Sequence, residues 1–233
     1  MYQQWRDLLF LHWEWDPAAI QRTLPPGLTV DTFDGRAYVA IVPFFMCGIR
    51  PRFLPAVPGI SWFMETNVRT YVYDERGVAG VWFYSLDANQ WLAVQLARRF
   101  FKLPYFYSQM ASPGMGWLGL TPQRPTTYTT QRRGTTAASR FRYRLGKETR
   151  PAEPGTLEFF LAERYILFAD LGRGQIGTGQ VYHTPYPLCA SSLDEWDAHL
   201  LELAGLGNPH RPPDHVLGSP GVDVDVYPLK VLR

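Results

Sequence analysis

Chemistry in this chain could centre on the segment Arg98-Arg99-Phe100-Phe101-Lys102-Leu103-Pro104-Tyr105-Phe106. A helix is expected to end there, and a proline-marked turn then presents a phenol and a phenyl ring. The Tyr105 hydroxyl can donate or accept a hydrogen bond, and a lowered pKa would make it a general acid-base group. Packing is the commoner role for a Tyr beside a Phe. Tyr107 alternates with Tyr105 and would share its side of an extended segment. Lys102 is expected to complement the negative end of the helix. His183, in Tyr182-His183-Thr184-Pro185-Tyr186-Pro187, is a second candidate. An imidazole at a strand end can be an acid or a base, or it can bond the backbone of a proline-rich turn.

Other reactive residue types lack partners at a useful spacing. His12, His199, His210 and His215 are scattered, and His12-Trp13-Glu14 offers no third ligand nearby, so no metal is expected. Cys47 and Cys189 show neither pairing nor metal spacing. Gly114, Gly116 and Gly119 precede no capped helix and form no phosphate loop. Ser61, Ser85 and Ser108 lack a nucleophile-elbow context. Arg132, Arg133, Arg140, Arg142 and Arg144 are the one basic cluster. Alternation sets Arg140, Arg142 and Arg144 opposite Phe141, Tyr143 and Leu145, which reads as a solvated strand face and not an RNA-stacking surface. With a net charge of +2, no overall field recruits nucleic acid. No nucleic-acid partner and no cofactor are expected.

The elements that must position these groups are mostly strands. Asp16-Pro17 starts a short helix that stops before Pro25-Pro26-Gly27. Alternation from Leu28 to Val42 around Asp34-Gly35 predicts a β-hairpin. Pro43 to Pro58 holds four prolines and reads as a loop. Strands follow at Met64–Tyr73 and Val81–Leu86. Asp87-Ala88-Asn89-Gln90 matches a capping box opening a helix to about Phe101, with an apolar stripe wide enough to pack on a sheet. Strand signals recur from Tyr128 to Leu145. A short helix is expected at Leu157–Arg164 and a strand pair at Tyr165–Ala169 and Gln175–His183. A second capping box at Ser192-Leu193-Asp194-Glu195 predicts a helix ending at Gly205, and Val222–Tyr227 alternates as a last strand.

The chain has 233 residues, 46% apolar and 19% charged, with 8 Trp, 13 Tyr and 14 Phe. That is enough to bury a sizeable core, and the aromatics suit strands and apolar pockets alike. No apolar stretch approaches the roughly 20 residues a spanning helix needs, and Leu8-Leu9-Phe10-Leu11 is too short for a signal core. A cytoplasmic protein with free thiols and no membrane partner is the expectation. With neither repeat nor long linker, one α+β domain over residues 1–233 is expected, built on a mostly antiparallel, closed sheet.

Several phrases together resemble the YqjF-like family, which is grouped with acetoacetate decarboxylase-like proteins. They are LLFLHW near the start, LPPGLTVDTFDGRAYV, ETNVRTYV, FYSLDAN, FFKLPYF, FLAERYILF and HTPYPL, and they span almost the whole chain. The resemblance implies a cone-shaped β-barrel with flanking helices and an interior ligand cavity. It places the decarboxylases' active-site arginine at Arg6, in Trp5-Arg6-Asp7, and their active-site glutamate at Glu65. An arginine-bearing helix before the proline turn matches Arg98. The decarboxylases' lysine pair falls on Tyr105 and Phe106, which cannot form a Schiff base. The handling of a desolvated lysine amine is therefore absent from this position.

What the resemblance implies is a small-molecule ligand, an organic acid or carbonyl compound. Arg6 would hold its anionic group, Glu65 would move a proton and Tyr105 would orient the carbonyl. Arg98, Phe106, Tyr107 and His183 would complete the ligand-binding set. A non-catalytic protein holding an apolar or aromatic molecule is the alternative, and whether copies of the chain assemble as a homo-oligomer stays open.

Overall fold

Leu8–Leu11 and Ala37–Val42 become the central strands, and the alternation expected as far as Val42 stops at Ala37, because a strand buried on both faces needs no polar side. The computed structural model describes residues 1–116 and 118–232. In chain order come β1 (Tyr2–Trp15), α1 (Pro17–Gln21), β2 (Leu28–Val30), β3 (Ala37–Arg50), β4 (Phe63–Asp74) and β5 (Ala79–Ala88). Next are α2 (Trp91–Phe100), β6 (Tyr105–Ala111), β7 (Met115–Gly116), β8 (Gly119–Leu120), β9 (Thr126–Arg132) and β10 (Ser139–Leu145). Then follow α3 (Leu157–Ala162), β11 (Ile166–Gly172), β12 (Gln175–Tyr182), β13 (Cys189–Glu195), α4 (His199–Leu203), β14 (His215–Val226) and β15 (Lys230–Val231).

Among the described residues, thirteen strands form one mostly antiparallel sheet, with β5 parallel to β6 and β11. Pairing runs β14–β1–β3–β4–β5–β11–β12 and returns to β14 through Val181↔Val226 and Tyr182↔Asp225. A second path leaves β5 through β6, β9, β10 and β13 and also reaches β14. The strands common to both paths separate two apolar clusters. Leu8, Phe10, Val42, Phe44, Leu86 and Tyr186 belong to one. Leu9, Leu11, Phe45, Tyr128, Phe141 and Tyr143 belong to the other. Successive residues of β1 and β3 thus serve opposite clusters, as the period of two requires.

Several local expectations give way to tertiary pairing. Asp34-Gly35 does turn the chain, with Phe33 and Arg36 exchanging backbone hydrogen bonds of 3.0 Å. However, β2 pairs with β4 and not with β3. The proline stretch is no loop as far as Arg50. Pro43 lies inside β3, opposite the register shift between Arg6 and Leu11 of β1, where its missing N–H breaks no regular ladder. Asp7 has φ 53° at this irregularity. Gly221 faces Arg6 on β14 with φ 131°, where a Cβ would stand 2.1 Å from the Trp5 carbonyl oxygen.

Both capping boxes are corrected. Asp87 is a buried residue of β5, and the cap of α2 is Gln90, whose side chain accepts from Leu92 N at 2.6 Å. Ser192–Glu195 continues β13, with α4 starting only at His199. Backbone pairing of β13 with β10 holds the second case as strand, and Arg144 binds Asp194 at 3.0 Å across that pair. The stripe of α2 does not pack on the sheet as expected. Only Val94 is buried, while Trp91, Leu96 and Phe100 are exposed. Arg132 leaves the solvated basic face too, because its guanidinium is buried against Asp87.

Candidate functional site

Strand β4 supplies the polar groups of the first cluster. Glu65, Asn67, Arg69 and Tyr71 alternate along it, so their side chains share one face. Cross-strand partners fix which face that is. Glu65 lies beside Phe44 and Ala88, Asn67 beside Val42 and Leu86, and Arg69 beside Ala40, all of which line the first cluster. All four are buried. The parallel neighbour β6 adds Tyr105 in the row of Leu86 and Tyr107 in the row of Ala88.

These rows bring Tyr105 to Glu65. The phenol donates to Glu65 Oε2 at 3.0 Å. Burial pushes the Glu65 carboxyl up from 4.5 to about 8, and hydrogen bonds from Tyr105 and Asn67 only partly oppose this. Burial first, and the neighbouring carboxyl second, hold Tyr105 well above the ordinary phenol range. At neutral pH the pair therefore holds both protons. Tyr105 is a hydrogen-bond donor and not the proton-losing phenol that a lowered pKa would give. Glu65 is the group that titrates near neutrality, where a general acid-base residue is most effective. From behind the strand, the Tyr128 hydroxyl donates to the Glu65 carbonyl at 2.8 Å and fixes its backbone.

The remaining expected residues divide. Arg6 does not join Glu65 and Tyr105. Trp5 packs on the first cluster, and its neighbour Arg6 pairs with Asp223 and donates to the Val222 carbonyl at 2.7 Å. Arg98 donates through Nε to the Tyr105 carbonyl at 2.6 Å, which latches the turn from outside. Phe106 faces away from Glu65, with the Arg132 guanidinium 4.0 Å from its ring centre. Tyr107 does share the face of Tyr105. His183 is buried, and its Nδ1 lies 2.7 Å from the Thr184 carbonyl, so that nitrogen carries the proton. It braces the proline-rich turn against Tyr165 and Tyr186. Burial lowers its pKa and keeps it neutral.

Lys102 has φ 50° and is exposed along a groove with Trp82, Tyr84 and Pro104. That groove shares only Phe83 with the interior cavity described next. Incubation with acetoacetate and borohydride is expected to leave Lys102 unmodified, read as the unchanged mass of its tryptic peptide. A stable adduct there would restore Schiff-base chemistry.

Inside the first cluster is a cavity of about 40 Å³, bordered by Trp5, Phe10, Phe44, Asn67, Arg69 and Tyr186 among others. Arg69 is a buried, cavity-lining residue that the sequence reading missed. Its signal was available in Glu65-Thr66-Asn67-Val68-Arg69-Thr70-Tyr71, where polar residues recur at every second position. Such alternation normally marks a solvent face. Here that face looks inward. Among the described residues, no group of three or more His, Cys, Asp or Glu is placed to hold a metal.

This sheet arrangement is the fold of acetoacetate decarboxylase-like proteins. The enduracididine biosynthesis enzyme MppR complexed with pyruvate superposes with a TM-score of 0.68 at 16% identity, over 100% of this chain and 90% of that one. The acetoacetate decarboxylase of Legionella pneumophila superposes at 0.64 and 13% identity, over 100% and 87%. Within that class, the model of the DUF2071 family of uncharacterized conserved proteins matches residues 2–223, and the chain belongs to this family. The uncharacterized protein YqjF of Bacillus subtilis (strain 168) is 37% identical over 189 residues, 81% of this chain and 74% of that protein. Among the described residues no helix is long and apolar enough to cross a membrane.

Proposed function

We propose that the chain, acting as one domain, binds a small organic acid or carbonyl compound inside a ring of strands closed as a barrel. Glu65 moves a proton on that ligand without a covalent lysine intermediate. The observation that carries this is the hydrogen bond of 3.0 Å from half-buried Tyr105 to buried Glu65, whose carboxyl is pushed up to about 8. As an acid, Glu65 hydrogen-bonds a carbonyl oxygen. As a carboxylate, it takes a proton from the carbon beside that carbonyl. The C–H electron pair then forms the enolate, whose oxygen Tyr105 stabilises by hydrogen bonding. Return of the proton to carbon regenerates Glu65.

A purely apolar or aromatic ligand suits the site less well. The cavity carries the buried polar groups Asn67 and Arg69 in its wall, which an apolar molecule would leave without hydrogen-bond partners.

Pyruvate, the ligand named in the MppR complex, is a fitting probe. In D₂O the wild type is expected to exchange the methyl protons of pyruvate, followed by proton NMR, at a rate rising through pH 8 as Glu65 ionises. Glu65→Gln should reduce that rate by about 10²-fold or more. Exchange no faster than buffer, or unchanged in the variant, would remove the proton-transfer role.

A further inference from the structure

We propose that Arg69, with Asn67 beside it in the cavity wall, forms an anion subsite that takes the carboxylate of a short-chain acid of about two to four carbons. The inference deepens the proposed function and rests on its placement of the ligand inside the ring. Arg69 is only 8% exposed and lines the cavity. One guanidinium N–H reaches the Leu161 carbonyl at 3.3 Å, but Nε is buried with no hydrogen-bond partner among the described residues. None of the ion pairs among those residues includes Arg69.

Nearby carboxyls are committed elsewhere. Glu163 holds the Tyr165 hydroxyl and the Tyr186 amide, and Asp31 holds Arg164. Glu65 is protonated at neutral pH and does not neutralise the guanidinium. A buried cation without a counter-charge is costly to a fold, and an incoming carboxylate supplies that charge with charge-assisted hydrogen bonds.

Size limits the class. One water needs about 10–15 Å³ of such space, so a cavity of about 40 Å³ admits a group of about three non-hydrogen atoms, a carboxylate and no ring. Asn67 borders the cavity, whose wall includes neither Glu65 nor Tyr105, and Glu65 stands two residues along the same face of β4, so a molecule longer than the cavity would approach the acid-base end past Asn67. Trp5 and Phe83 are half-buried, so the cavity wall reaches the surface at these two residues.

Calorimetry with acetate and lactate, set against acetamide and lactamide, tests this on the intact chain at pH 7. The acids should bind the wild type at least tenfold more tightly than their uncharged amides. Arg69→Gln should lose at least tenfold in acid affinity, while Arg140→Gln, on the exposed face of β10, should stay within about threefold, a gap set by the strength of charge-assisted bonds. The comparison of acid with amide needs no variant and holds if Arg69→Gln fails to fold. Equal binding of acids and amides, no binding of either acid, or a folded Arg69→Gln that binds like wild type would overturn the subsite. Arg69-dependent acid binding without pyruvate exchange would defeat the proton-transfer reading and leave the subsite standing.

Discussion

Arg132→Met lowers the free energy of unfolding by about 3–5 kcal/mol, the cost of stranding one member of a buried ion pair. Asp87 is fully buried, and Arg132 is 9% exposed. The guanidinium gives two bonds to the carboxylate, at 2.9 and 2.6 Å, and also covers the Phe106 ring. Without it, the carboxylate keeps only the Ser108 hydroxyl at 2.6 Å. The pair ties β5 to β9 beside the turn that delivers Tyr105, so the loss is felt at the site as well. Urea unfolding of Arg132→Met, Asp87→Asn and the double variant measures the coupling. Removing both charges should cost less than the two single losses added together. Strict additivity would mean that the pair contributes nothing specific.

Between pH 7 and 9 the wild type should lose stability on the order of 1 kcal/mol more than Glu65→Gln. The carboxyl is at about 8 in the folded chain against an ordinary 4.5. The folded state thus binds the proton more tightly than the unfolded state. That advantage is complete below pH 4.5 and is lost as pH rises through 8. Burial depresses His12 and His183, whose effect runs the other way and falls below pH 6.5. Burial raises Cys47 and Cys189 above 9.0, so their thiols add a smaller loss that begins only as pH nears 9. The slope above pH 7 therefore belongs chiefly to Glu65. Unfolding curves at the two pH values decide the matter, and an equal fall in both proteins would contradict a buried acid at this position.

Strand positions were largely legible from alternation, as in Arg140–Leu145, where each arginine is exposed and Phe141 and Tyr143 are buried. Legibility failed where pairing overrode a local signal. Asp87 and Ser192 begin good helix-capping patterns, yet both lie in strands, because the partners that hold those strands are 45 and 50 residues away in sequence, at Arg132 and from Asp194 to Arg144. β1 was hidden because both faces of Leu8–Leu11 are buried and no period shows. Within the site, Glu65 and Tyr105 were reached through family resemblance and do meet. Arg6 was reached in the same way, but the bend at Asp7 and the pull of Asp223 keep it apart. Arg69 needed knowledge that the polar side of β4 has no water on it.

The partition formed by β14, β1, β3, β4 and β5 has the buried polar row of β4 on one side and a separate hydrophobic mass on the other, with a thickness of one residue. Tyr128, rooted in that rear mass, grips the carbonyl of the same residue whose side chain carries the proton. Repacking around Tyr128, Phe141 or Phe45 is therefore a way to retune the acid from behind, through changes that no ligand would ever touch.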